Sequence, residues 1–283
     1  MMSLLEPFAY DFMINAILVS GLVGAVCSFL SCYLILKGWS LMGDALAHSI
    51  VPGVALAYML SLPYAAGAFF TGLLAALSMT LVRQKTKLRE DAVIGLVFSS
   101  FFALGLLMVS MRPTSVSIQS IVLGNILAIS PEDRKQVVII SVVTILLLLT
   151  KWRDLLAVFF DETHARSIGL PVLGLKILFF TLLSAATVVS LQTVGACLVI
   201  AMVVTPGSTG YLLTDRFQVL IPLSIVIGTL TSMLGAYLSF FWNVTPGGLI
   251  VTLQTLVFLV TFVFAPKHGL WAKKKLRLQG AVR

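Results

Sequence analysis

Charge is what this sequence has least of. Asp, Glu, Lys and Arg together make up 11% of 283 residues, whereas a soluble domain needs about a quarter to clothe its surface. With a hydrophobic share of 59%, a water-soluble globule is excluded. Cysteine is equally sparse. Cys27, Cys32 and Cys197 all fall within apolar runs without a C-x-x-C spacing, so we expect buried thiols, neither a disulfide framework nor a thiolate metal site. There is no Gly-Lys dipeptide and hence no phosphate-binding G-x-x-x-x-G-K-[ST] loop. H-E-x-x-H and G-x-S-x-G are also missing, which leaves no zinc-hydrolase or serine-hydrolase signature. Such a chain is not expected to be an enzyme or to hold a cofactor. The leading residues carry Glu6 and Asp11 where a signal peptide would be basic, so the first apolar run is expected to be a retained span.

What remains is a succession of apolar runs, at about 12–36, 44–62, 64–82, 92–111, 136–150, 172–192, 194–213, 218–241 and 246–265. Each approaches the ~20 residues that cross a bilayer as a helix. Open strands would leave backbone groups unsatisfied in lipid, so the expected fold is an all-α bundle of eight to nine spans. The segment 116–129 is apolar but short, and is read as re-entrant or interfacial. No linker or soluble domain interrupts the chain, so 1–283 reads as one membrane domain, with spans over about 12–266 and a basic tail at 267–283.

The net charge of +8 does not indicate nucleic acid, because the basic residues cluster between apolar runs instead of forming a face. With 83–91 (RQKTKLRED) placed in the cytoplasm and the spans alternating, 16 of the 19 Lys and Arg residues fall inside. The amino terminus is then outside and the carboxyl terminus cytoplasmic.

Ionisable groups within spans are costly and mark function by default. Of eleven acids, only Asp44 lies away from loops, tails and span ends. His48 follows it in GDALAHSIVPG, four residues on and therefore on the same helix face. Carboxylate with imidazole suits Mn²⁺, Fe²⁺ or Zn²⁺ better than Cu⁺. An Asp–His bond that locks helices, or an N-cap at Asp44, is the competing explanation, and spacing does not choose between them. The pair lies nearer the cytoplasmic end of the second span than its middle.

A second feature is FFDETHARSIGLPV, 159–172. Asp161 or Glu162 can cap a short helix through Arg166, and Gly169 can stop it. Such a helix can dock on a peripheral partner or be an ordinary loop helix. Thr205-Pro206-Gly207 interrupts an apolar run as a candidate pathway element, and Thr245-Pro246 reads as a span start. Gly21 with Gly24, and Gly72 with Ala76, are spaced for close helix packing.

At GDALAHSIVPG, KLREDAVIGLVFSSFFALGL, QSIVLGNILAIS and FFDETHARSIGLPV, the chain resembles the metal-permease family of ABC importers, from about residue 12 to 266. Within that family it is most similar to enterobacterial manganese/iron permeases. The resemblance implies a bacterial inner-membrane permease that moves Mn²⁺ or Fe²⁺ by alternating access. It also implies a second permease subunit, a cytoplasmic ATPase and a periplasmic metal-binding protein as partners. Asp44 and His48 would be transient metal contacts, and Asp161, Glu162, Ala165, Arg166 and Gly169 would serve ATPase coupling. The alternatives are a proton- or potential-coupled secondary transporter, and zinc as the substrate.

Overall fold

The computed structural model describes residues 5–111, 126–265 and Gly269. The expected re-entrant segment therefore lies largely outside the described residues, as does most of the basic tail. Among the described residues all regular structure is helical. The helices are α1 (Asp11–Lys37), α2 (Met42–Ser49), α3 (Val51–Met59), α4 (Tyr64–Lys85), α5 (Glu90–Met111), α6 (Pro131–Phe160), α7 (Glu162–Ser167), α8 (Val172–Val194), α9 (Ala196–Leu213), α10 (Phe217–Trp242) and α11 (Pro246–Phe264). Seven of them are long and apolar enough to cross a membrane, and Val199–Leu213 is a shorter apolar helix. With the broken α2–α3 pair, the total agrees with eight to nine spans.

The chain forms two compact units, 1–38 with 126–138 and 201–283, and 39–125 with 139–200. In the first, α1 is buried on most of its surface and packs along α10, which in turn packs on α11. Small residues make the α1–α10 approach possible. A Cβ at Gly21 would stand 2.7 Å from Met233 Cγ, and one at Gly24 would stand 2.6 Å from the Gly228 carbonyl. Lipid offers no hydrophobic drive between helices, so this close backbone contact supplies the packing. Further up α1, Ser31 Oγ donates to the Val204 carbonyl (3.1 Å) and accepts from the Gly207 N–H (3.0 Å).

That contact bears on Pro206. The sequence reading expected a break at 205–207, but Pro206 lies inside a continuous α9. Proline removes one helical hydrogen bond, and neighbouring Ser side chains can re-satisfy the freed backbone. Ser31 does so here. Thr245-Pro246 does begin a helix, with Pro246 in the first turn of α11, where its missing N–H costs nothing.

In the second unit, α3 packs on α4 and α5, while α8 packs on α4 and α2. Gly53 and Gly67 meet backbone to backbone, so that a Cβ on either would collide with the other's carbonyl. On α5, a Cβ at Gly105 would stand 2.7 Å from Val51 Cγ1. Two sequence expectations need correction. The run 44–62 is not one helix: it divides at Ile50 into α2 and α3, since Pro52 cannot donate to the His48 carbonyl. The span expected at 136–150 is part of a 30-residue helix, about 45 Å long and longer than the ~30 Å apolar core. It runs on because no Gly or Pro occurs between Pro131 and Gly169. Ser130 caps its start, accepting from the Asp133 N–H (3.1 Å) and donating to Asp133 Oδ2 (2.8 Å).

Candidate metal pathway and coupling helix

Asp44 sits in the first turn of α2 and His48 one turn later. Ala45, Leu46, Ala47 and Ser49 bury the rest of this short helix, so the Asp–His face is the one left partly open. His48 Nε2 lies 3.4 Å from Asp44 Oδ1, and both side chains are only partly exposed. The imidazole rests on two rings of α5, with centroids 5.5 Å from Phe98 and 5.4 Å from Phe102. The two phenyl rings stack on each other, which fixes one wall of the site.

The midpoint of α5 falls between Phe98 and Phe102. The pair is therefore early in α2 yet meets α5 at mid-length. Splitting of the helix at Ile50 occurs just past His48, and Thr71 Oγ1 of α4 donates to the Ile50 carbonyl at 3.4 Å. One carboxylate, one imidazole and an adjacent irregular backbone can meet a dication weakly, as a transport site requires. Among the described residues no group of three or more His, Cys, Asp or Glu side chains is placed to hold a metal.

The second expected feature is also a well-defined structure. Asp161 is the N-cap of α7, its Oδ1 accepting from the N–H groups of Thr163 (2.8 Å) and His164 (3.1 Å). Gly169 ends the segment with φ of +81°, a left-handed conformation that glycine adopts without penalty. Ala165 is fully buried, whereas Phe160 just before the cap is 77% exposed. Glu162 reaches α8, where its Oε1 lies 2.7 Å from Lys176 Nζ.

Beside α7 is a cavity of about 160 Å³ whose walls include Trp39, Met42, Arg83, Glu162, Arg166 and Lys176. Trp39 is buried, stacked on Phe180 and edge-on to Phe159, with the Arg83 guanidinium 5.3 Å from its ring centroid. Residues following α1, ending α4, opening α5 and forming α7 thus gather around one cavity of the second unit.

Sequence reasoning missed Lys176, Trp39, Phe98 and Phe102. Lys176 carried a signal: it is a cation inside the apolar run VLGLKILFF, and only 8% exposed. The three aromatics carried none, being indistinguishable from other apolar residues until packed.

Residues 9–265 match the model of the ABC 3 transport family. The chain is 68% identical to the chelated iron transport system membrane protein YfeC of Yersinia pestis, over 96% of this chain and 92% of that protein. It is 48% identical to the manganese transport system membrane protein MntB of a Synechocystis species, over 98% and 90% respectively. Among solved structures it resembles PsaBC from Streptococcus pneumoniae in complex with Fab, with a TM-score of 0.83 and 35% identity over 95% of this chain and 96% of that one.

Proposed function

We infer that this chain, which belongs to the ABC 3 transport family, is the membrane permease subunit of an importer for divalent manganese or iron. The observation that carries the reading is the Asp44–His48 pair, held against Phe98 and Phe102 in a chain related throughout its length to iron and manganese transport proteins. A dication entering low dielectric must be met by negative charge and donor atoms, and this pair offers both. Two ligands make a weak site, with water, backbone carbonyls or a second permease subunit completing the shell. Weak binding lets the ion leave.

The permease hydrolyses nothing itself. The energy comes from a separate cytoplasmic ATPase, which docks on α7, and a periplasmic metal-binding protein delivers the ion from outside. Two permease subunits pair around the pathway in the bacterial inner membrane, with their carboxyl termini in the cytoplasm. Reorientation of the spans on ATP turnover exposes the Asp44–His48 region first to one side and then to the other.

The decisive experiment is radioactive manganese uptake in cells lacking their own manganese importers. These express the chain with its ATPase and binding protein, the ATPase either intact or catalytically dead. Uptake that disappears with the dead ATPase supports the reading. Uptake that persists moves the chain to the secondary transporters. An assembled complex that takes up neither manganese nor iron, but does take up zinc, changes the substrate.

A further inference from the structure

We propose that Lys176 is the positioning residue through which α7 drives the transport helices, by way of its ion pair with Glu162. This rests on the reading of α7 as the ATPase-docking helix and adds the path by which displacement leaves it.

A helix of six residues has no independent stability, so whatever holds it decides what it can transmit. The Asp161 cap and the Gly169 stop act on the backbone of the segment itself and shape α7. Burial of Ala165 attaches it, but an alanine methyl contact is small and non-directional. The Glu162–Lys176 pair is different in kind. At 2.7 Å it is a short, charge-assisted hydrogen bond between two separate helices. Its lysine is nearly enclosed, while its glutamate side chain remains 26% exposed, so the bond runs from the rim of α7 into the body of the bundle.

Enclosure makes the pair hard to break. An ammonium group left nearly enclosed without its partner is disfavoured, so a shift of Glu162 pulls on Lys176. Lys176 in turn is part of α8, which packs directly on α2, the helix that carries Asp44 and His48. The cavity between α7 and the ends of α4 and α5 leaves room on that side for α7 to move as a unit. The contiguous path is therefore α7, Glu162, Lys176, α8 and α2, all within one compact unit.

The test compares four forms of the complete importer in proteoliposomes: the parent, Lys176→Met, Lys176→Arg and the exchange Glu162→Lys with Lys176→Glu. Each is scored for ATPase retained on purification, ATP hydrolysed and manganese transported. The proposal expects Lys176→Met to keep its ATPase and hydrolyse ATP, while manganese moved per ATP falls about tenfold, a typical coupling factor. Lys176→Arg and the exchange are expected to recover most of the ratio. Lys176→Met with a parental ratio overturns the proposal, as does an exchange variant no better than Lys176→Met. If Lys176→Met fails to assemble but Glu162→Met with Lys176→Met assembles, the double variant takes its place in the comparison, since apolar replacement of a buried pair preserves packing. A parent complex without ATP-dependent uptake overturns the functional reading itself and is recognised before any variant is compared.

Discussion

Gly24 of α1 faces Gly228 of α10 so closely that a Cβ on Gly24 would stand 2.6 Å from the Gly228 carbonyl oxygen, and a Cβ on Gly228 would meet the Ser28 hydroxyl. Helix association in lipid depends on such approaches. Gly228→Leu is therefore expected to destabilise the detergent-solubilised protein by at least about 1–3 kcal/mol, the usual cost of overpacking. Gly95→Ala is the control, because nothing lies within 4 Å of its added methyl; it is expected to leave the melting temperature unchanged or slightly raised. Equal melting temperatures for the two variants would remove the close approach as a source of stability.

Asp44 supplies the carboxylate beside His48 in the proposed pathway. Asp44→Asn preserves shape and removes the charge, so manganese uptake is expected to fall at least about thirtyfold, the lower range for loss of one partner in a desolvated charged contact. The amount of permease in the membrane and its retention of ATPase are expected to stay at parental values. Parental uptake by the Asn variant would take Asp44 out of the pathway.

The N-cap of α7 makes a separate prediction. Asp161→Ala leaves the Thr163 and His164 N–H groups without their acceptor, at a cost of about 1 kcal/mol to a helix with nothing to spare. The expected result is loss of co-purifying ATPase, and Asp161→Ser, which also caps, is expected to retain it. Identical ATPase recovery from the two variants would separate the cap from docking.

Ser31 tests the tie between α1 and α9. Ser31→Ala removes its bonds to the Val204 carbonyl and the Gly207 N–H beside Pro206, and is expected to cost about 1–3 kcal/mol as a lower thermal midpoint. Ser78→Ala, whose hydroxyl bonds only its own helix at Leu74, is expected to stay within about 0.5 kcal/mol of the parent. A Ser31 variant as stable as the Ser78 one would mean that this tie between α1 and α9 adds nothing to stability.

Much of this architecture is local and so could be read without coordinates. Bilayer thickness and the need to satisfy backbone groups in lipid turn apolar runs into helices, which is why the spans and the Pro246 start were legible. The α7 cap was legible too, as Asp161 or Glu162 with a stop at Gly169, since these residues lie within one short segment; the structure gives the cap to Asp161. The same locality explains the Asp44–His48 spacing, since four residues on a helix is one turn.

What the tertiary structure alone decided depends on partners distant in sequence. That a serine in α1 bonds the backbone on either side of Pro206 could be read from neither segment alone. The rings that His48 meets on α5 and the division of its helix at Ile50 likewise came only with packing. Lys176 counted in the sequence as one more cytoplasmic charge. Its meaning changed only when folding enclosed it against Glu162, because an isolated charge in apolar surroundings is a cost and a paired one is a joint between helices.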